Sequence, residues 1–177
     1  TLNGEGLQHE DGHSHILANT IPNCVSYDPT FAHEVAVIMH DGLKRMVERQ
    51  ENVFYYITLL NENYAMPGLL PGTEEQIIKG MYLCKPGADG DKRVQLLGSG
   101  TILRESLEAQ TLLAADWGVQ ADVWSCPSFN ELTREGQDAD RWNLLHPLET
   151  PRVPFVTRQL GSRSGPVVAS TDYMKAY

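Results

Sequence analysis

The sequence predicts an α/β protein assembled from parts of two parallel-sheet units. Three observations carry this. Residues 21–60 read as strand, long helix, strand, and residues 94–128 repeat that order. Between them, AMPGLLPG (65–72) packs two prolines and two glycines into eight residues, the opening of a linker-like stretch, 65–76. Strand–helix–strand units with connections of this length imply parallel strands and right-handed crossovers.

IPNCVSY, 21–27, reads as a short strand. Asp28 is placed to cap the next helix, with Pro29 in its first turn. That helix is expected over 29–48, with Phe31, Val35, Ile38, Gly42 and Met46 on its buried face. VFYYITLL, 53–60, is rich in β-branched and aromatic residues, as a buried parallel strand requires. GMYLCKPGADGDKR, 80–93, reads as a strand and a turn, and VQLLGSG, 94–100, as a second strand. A helix follows over 101–118, with Ile102, Leu103, Leu107, Leu113 and Trp117 on its apolar side and Gly118 just past its end. VQADVWSCPS, 119–128, alternates as a strand does. FNELTREGQDADRWNLL is expected to be helical in parts, broken near Gly136. Residues 147–154 are proline-rich and extended, and PVVAST, 166–171, is a last strand.

A net charge of −9 argues against a nucleic-acid partner and against electrostatic attachment to a membrane. The chain lacks both a long apolar run and a basic-then-apolar leader. Three cysteines with no CxxC point to a reducing cytoplasm rather than a disulfide framework. The chain opens without methionine and stops just after a strand, and both ends read as cuts through a longer protein.

The chemistry concentrates in GEGLQHEDGHSH, 4–15. Three of the six histidines stand there, His9, His13 and His15, beside Glu10 and Asp11. Glycines at 4, 6 and 12 argue against a regular helix. Three readings are open. As a metal site, the loop lacks the HExxH spacing that puts ligands on one helix face. As an acid–base or substrate-binding site, it offers histidines that titrate near neutrality and carboxylates to tune them. As a solvated loop, it has no chemistry at all. Elsewhere, GSG at 98–100 is a tight strand–helix turn, since Leu103 stands where a dinucleotide fingerprint needs glycine. DGDK, 89–92, is a solvated turn without the spacing of a calcium loop. Asn61, Glu62 and Asn63 follow a strand's carboxyl end, where they face either a ligand site or a domain junction.

HEDGHSH, IPNCVSYDPTFAHEVAVIMHDGLKRM, YYITLLNENYAMPGLLPG, QLLGSGTILRESLEAQTLL and GQDADRWNLLHPLETPRVP together resemble one family across essentially the whole chain. It is the homodimeric decarboxylating component of bacterial pyruvate dehydrogenase, thiamine diphosphate enzymes of the transketolase superfamily. The resemblance implies that residues 1–66 are the end of a pyrimidine-binding middle domain, 67–76 a linker, and 77–177 a truncated transketolase C-terminal-like domain. It implies decarboxylation of pyruvate and reductive acetylation of the lipoyl group of dihydrolipoamide acetyltransferase, within a cytoplasmic multienzyme complex. His9 is then the catalytic residue, beside the substrate. Asp11, His15 and Glu10 line the channel, and His13 has no assigned role. Thiamine diphosphate and magnesium would be held by segments this sequence does not contain, so the chain alone is expected to be inactive. Two rival readings are a non-catalytic dimerisation or assembly fragment and a histidine-dependent metal hydrolase.

Overall fold

The computed structural model describes residues 11–177. Two sheets organise it. The first is two-stranded: β1 (Cys24–Tyr27) pairs in parallel with β2 (Phe54–Ile57), Tyr27 opposite Ile57. They are joined by α2 (Ala32–Leu43) and its π-helical extension, Lys44–Glu48. A short α1 (Ser14–Asn19) precedes β1. The second sheet has order β3-β5-β4-β6, formed by Tyr82–Lys85, Gln120–Ser125, Arg93–Gly98 and Val167–Ser170. β4 pairs in parallel with both β5 and β6, as expected, but β3 runs antiparallel to β5. The second unit is therefore mixed rather than purely parallel. Remaining helices are α3 (Glu74–Ile78), α4 (Ile102–Trp117), α5 (Phe129–Leu145) and α6 (Phe155–Leu160).

Alternation along β4 and β5 builds the second unit's core. Val94, Leu96, Ala121 and Val123 face Leu103 of α4, while Leu97 and Trp124 face Met81, Leu132 and Phe155. A strand buried on both sides must be apolar at both parities, or must satisfy its polar groups internally. Gln95 and Asp122 take the second course. Trp124 Nε1 donates to Gln95 Oε1 at 2.8 Å, and Arg93 meets the Asp122 carboxylate at 2.8 Å. A third cluster, Val25, Tyr27, Ile38, Ile77 and Tyr82, spans both units.

Several expectations are corrected. The helix after β1 starts at Ala32, not Pro29, because Asp28 is taken up by tertiary contacts. Its N-terminus is satisfied instead by Glu34, whose carboxylate accepts from the amides of Thr30 and Phe31 at 2.6 and 3.0 Å. The buried stripe is Glu34, Ile38 and Gly42, and Met46 is exposed on the π turn. β2 is not fully buried. Its alternate residues Phe54 and Tyr56 are 44% and 36% exposed, because only Tyr55 and Ile57 join the core cluster. Trp117 is 71% exposed at the last turn of α4. α5 runs through Gly136 without a break, held to the core by Leu132 and Ala139. The last turn of α5 and the segment after it form a clasp in which Trp142 stacks on His146 at 4.4 Å and lies under Arg152 at 4.2 Å.

Candidate functional site

Parallel strands β1 and β2 end side by side, so Asp28 and Thr58, the residues just past them, meet. Thr58 Oγ1 lies 2.7 Å from Asp28 Oδ1 and 2.9 Å from His15 Nε2. Both strand ends point to the place where α/β sheets put ligands. Asp28 is pinned at both backbone atoms by the second unit. Its amide donates to the Pro127 carbonyl at 2.7 Å, and its carbonyl accepts from the Gly100 amide at 2.9 Å. Gly100 has φ +51°, and any Cβ there would collide with the Asp28 carboxylate. The glycine turn at 98–100 thus makes room for a carboxylate of this chain.

Asp11 and His15 flank the start of α1, with distinct jobs. Asp11 Oδ1 accepts from the amides of Ser14 at 2.9 Å and His13 at 3.1 Å, and Oδ2 accepts from the Ser14 hydroxyl. It thereby starts α1, so the last residues of the loop are helical despite its glycines. Partial burial opposes ionisation of Asp11, but the hydrogen bonds from Ser14 and His13 outweigh it and hold the carboxyl below its usual value. His15 is fully buried in the first turn of α1. Its ring packs against Tyr56, Tyr173 and Tyr177, with centroids 5.4, 4.7 and 4.9 Å away. Burial pushes its pKa down to about 4, against the pull of Asp11, so the imidazole is neutral at pH 7. Burial raises Asp28 to about 6, partly offset by the Thr58 hydrogen bond. His13 is exposed. His9 and Glu10 lie outside the described residues.

Three of these site residues have other readings in the sequence. Asp28 reads as a helix cap, Thr58 as part of an apolar strand, and Tyr173 as tail. Asp28 and Thr58 carry a usable signal, since each is a polar residue directly after the last residue of a parallel strand. Glu62 pairs with Arg104 of α4 at 3.1 Å, across the junction of the two units.

A crevice of about 10 Å³ opens between Asp28, Thr58, Gly100, Thr101, Asp172 and Tyr173. That is about one water-sized probe and far too small for a diphosphate cofactor. Among the described residues no group of three or more histidine, cysteine or carboxylate side chains is arranged to hold a metal ion. This crevice therefore does not by itself hold a thiamine diphosphate. Among the described residues also, no helix is long and apolar enough to cross a membrane.

Residues 1–67 match the pyruvate dehydrogenase E1 component middle domain, and residues 80–177 the transketolase-like TK C-terminal domain. The pyruvate dehydrogenase E1 components of Escherichia coli K12, Pseudomonas aeruginosa and Cupriavidus necator are 62%, 61% and 59% identical to this chain over its whole length. The chain spans 20% of the length of each. Among solved structures, transketolase from Leishmania mexicana superposes with TM-score 0.66 at 16% identity, over 97% of this chain and 21% of that one. A transketolase mutant from Pichia stipitis gives 0.56 at 16% identity, over 93% of this chain and 23% of that one. The chain belongs to the transketolase-like family, and along its whole length it is similar to the pyruvate dehydrogenase E1 component.

Proposed function

We propose that this chain is one wall of the active site of a pyruvate-decarboxylating, lipoyl-acetylating E1 component. Residues 1–66 serve as the end of the middle domain, 67–76 as a linker and 77–177 as part of the C-terminal domain. The enzyme is a cytoplasmic homodimer that works with dihydrolipoamide acetyltransferase. Thiamine diphosphate and magnesium are held by segments beyond this sequence, and the cofactor supplies the electron sink for decarboxylation. His9 is the acid–base residue, and Glu10, Asp11 and His15 line the substrate channel. The observation that carries this reading is identity near 60% over every residue of the chain. The geometry supports it: His15 converges with Asp28 and Thr58 at the carboxyl ends of two parallel strands.

The test is a chimera in which this sequence replaces the matching segment of the Escherichia coli relative. The chimera should decarboxylate pyruvate and acetylate lipoyl acceptors. His9→Ala should lower its turnover about 100-fold. A folded chimera without activity, or an unchanged rate in His9→Ala, would sink the proposal.

A further inference from the structure

Thr58 Oγ1 has one proton to give and two lone pairs to fill. Its closest partner is Asp28 Oδ1 at 2.7 Å, and the Tyr27 carbonyl is farther, at 3.4 Å. Asp28 titrates near 6, so at pH 7.5 it is a carboxylate and only accepts. The Thr58 proton therefore goes to Asp28. His15 Nε2, 2.9 Å from the same oxygen, must then be the donor to it. A neutral imidazole carries one N–H, so the other nitrogen, Nδ1, is a bare acceptor. Among the described residues that nitrogen is buried and without a hydrogen-bond partner, as is the hydroxyl of Tyr177, whose ring packs beside it.

We propose that Asp28 and Thr58 are positioning residues that lock His15 as its Nε2–H tautomer and present Nδ1 as a hydrogen-bond acceptor. An unpaired acceptor in a low-dielectric site is costly, and it selects for a donor. A hydroxyl or N–H group satisfies it, whereas a carboxylate is repelled by its lone pair. Tyr173 reinforces the arrangement from the second unit. Its ring packs edge-on to His15, and its hydroxyl approaches Thr58. The arrangement thus needs both units in place.

The tautomer is measured directly and without turnover. Two-bond ¹H–¹⁵N correlation of the ¹⁵N-histidine-labelled chain at pH 7.5 separates protonated from bare ring nitrogens. His15 is identified among the six histidines by contacts to the Tyr56 and Tyr173 rings. The expected pattern is protonated Nε2 and bare Nδ1. The reverse pattern, or an average of the two, overturns the proposal. Thr58→Val should relax His15 toward a mixture of tautomers, and Thr58→Ser should restore the single form. A folded Thr58→Val variant with an unchanged His15 pattern also overturns it, and if that variant does not fold the wild-type pattern still decides. None of these readouts depends on the chimera being active, so failure of the functional reading is separately visible.

Discussion

Burial pushes His15 and Asp28 in opposite directions, and the consequence is compensation. Unfolded, they titrate near 6.5 and 3.8, and folded, near about 4 and about 6. Between those folded values the native pair keeps one proton on Asp28 and none on His15, whereas the unfolded pair keeps one on histidine and none on aspartate. The proton counts match, so the two contributions to pH-dependent stability cancel. Single variants uncover each half. In Asp28→Asn, the His15 contribution stands alone, present above pH 6.5 and lost as pH falls through about 4. In His15→Gln, the Asp28 contribution stands alone, present below pH 3.8 and lost as pH rises through about 6. Relative to wild type, urea midpoints should therefore fall toward acid for Asp28→Asn and rise toward acid for His15→Gln. Each slope is at most about 1.4 kcal/mol per pH unit. Profiles that stay parallel to wild type would show that the two groups are not coupled in this way. This pair is only half legible in the sequence. The histidine loop draws attention to His15, but its partners lie 13 and 43 positions away and become neighbours only through strand register.

At the scale of elements, glycines at two helix ends separate local strain from tertiary contact. Gly118 ends α4 with φ +63° and open space where a Cβ would stand, so Gly118→Ala should cost about 1 kcal/mol, the left-handed penalty alone. Gly100 has similar φ, but a methyl there meets the Asp28 carboxylate, so Gly100→Ala should cost clearly more. Urea unfolding of the two variants gives the order, and equal losses would mean that Asp28 yields freely. The same contrast explains which elements the sequence reveals. β1, β4, β5, β6 and α4 are legible because apolar runs and a C-terminal glycine are local signals. The antiparallel direction of β3 is not, since a strand's side-chain alternation is the same in either direction. The start of α2 is hidden because Asp28 has a stronger partner than a helix amide. α5 reads as a broken helix, yet packing of Leu132 and Ala139 outweighs the propensity of one glycine.

At the scale of the molecule, polar bolts join the two units across otherwise separate sheets. Glu34, buried on α2 of the first unit, accepts from the hydroxyls of Tyr82 on β3 and Ser125 on β5 at 2.8 and 2.5 Å. Asn130 of α5 donates to the His15 carbonyl at 2.8 Å, and Arg134 to the Cys24 and Ile21 carbonyls at 2.6 and 3.0 Å. Such contacts are invisible to composition, which marks a linker but says nothing of how firmly the joined parts are bound. They predict one unfolding transition. All three tryptophans, at 117, 124 and 142, lie in the second unit, so their fluorescence reports on it alone. Glu34→Ala, a change in the first unit, strands two buried hydroxyls and two amides and should cost about 3 kcal/mol. Its urea midpoint should fall by the same amount whether read by tryptophan fluorescence or by far-ultraviolet circular dichroism. If fluorescence keeps the wild-type midpoint while dichroism shifts, the units unfold independently and the bolts do not couple them.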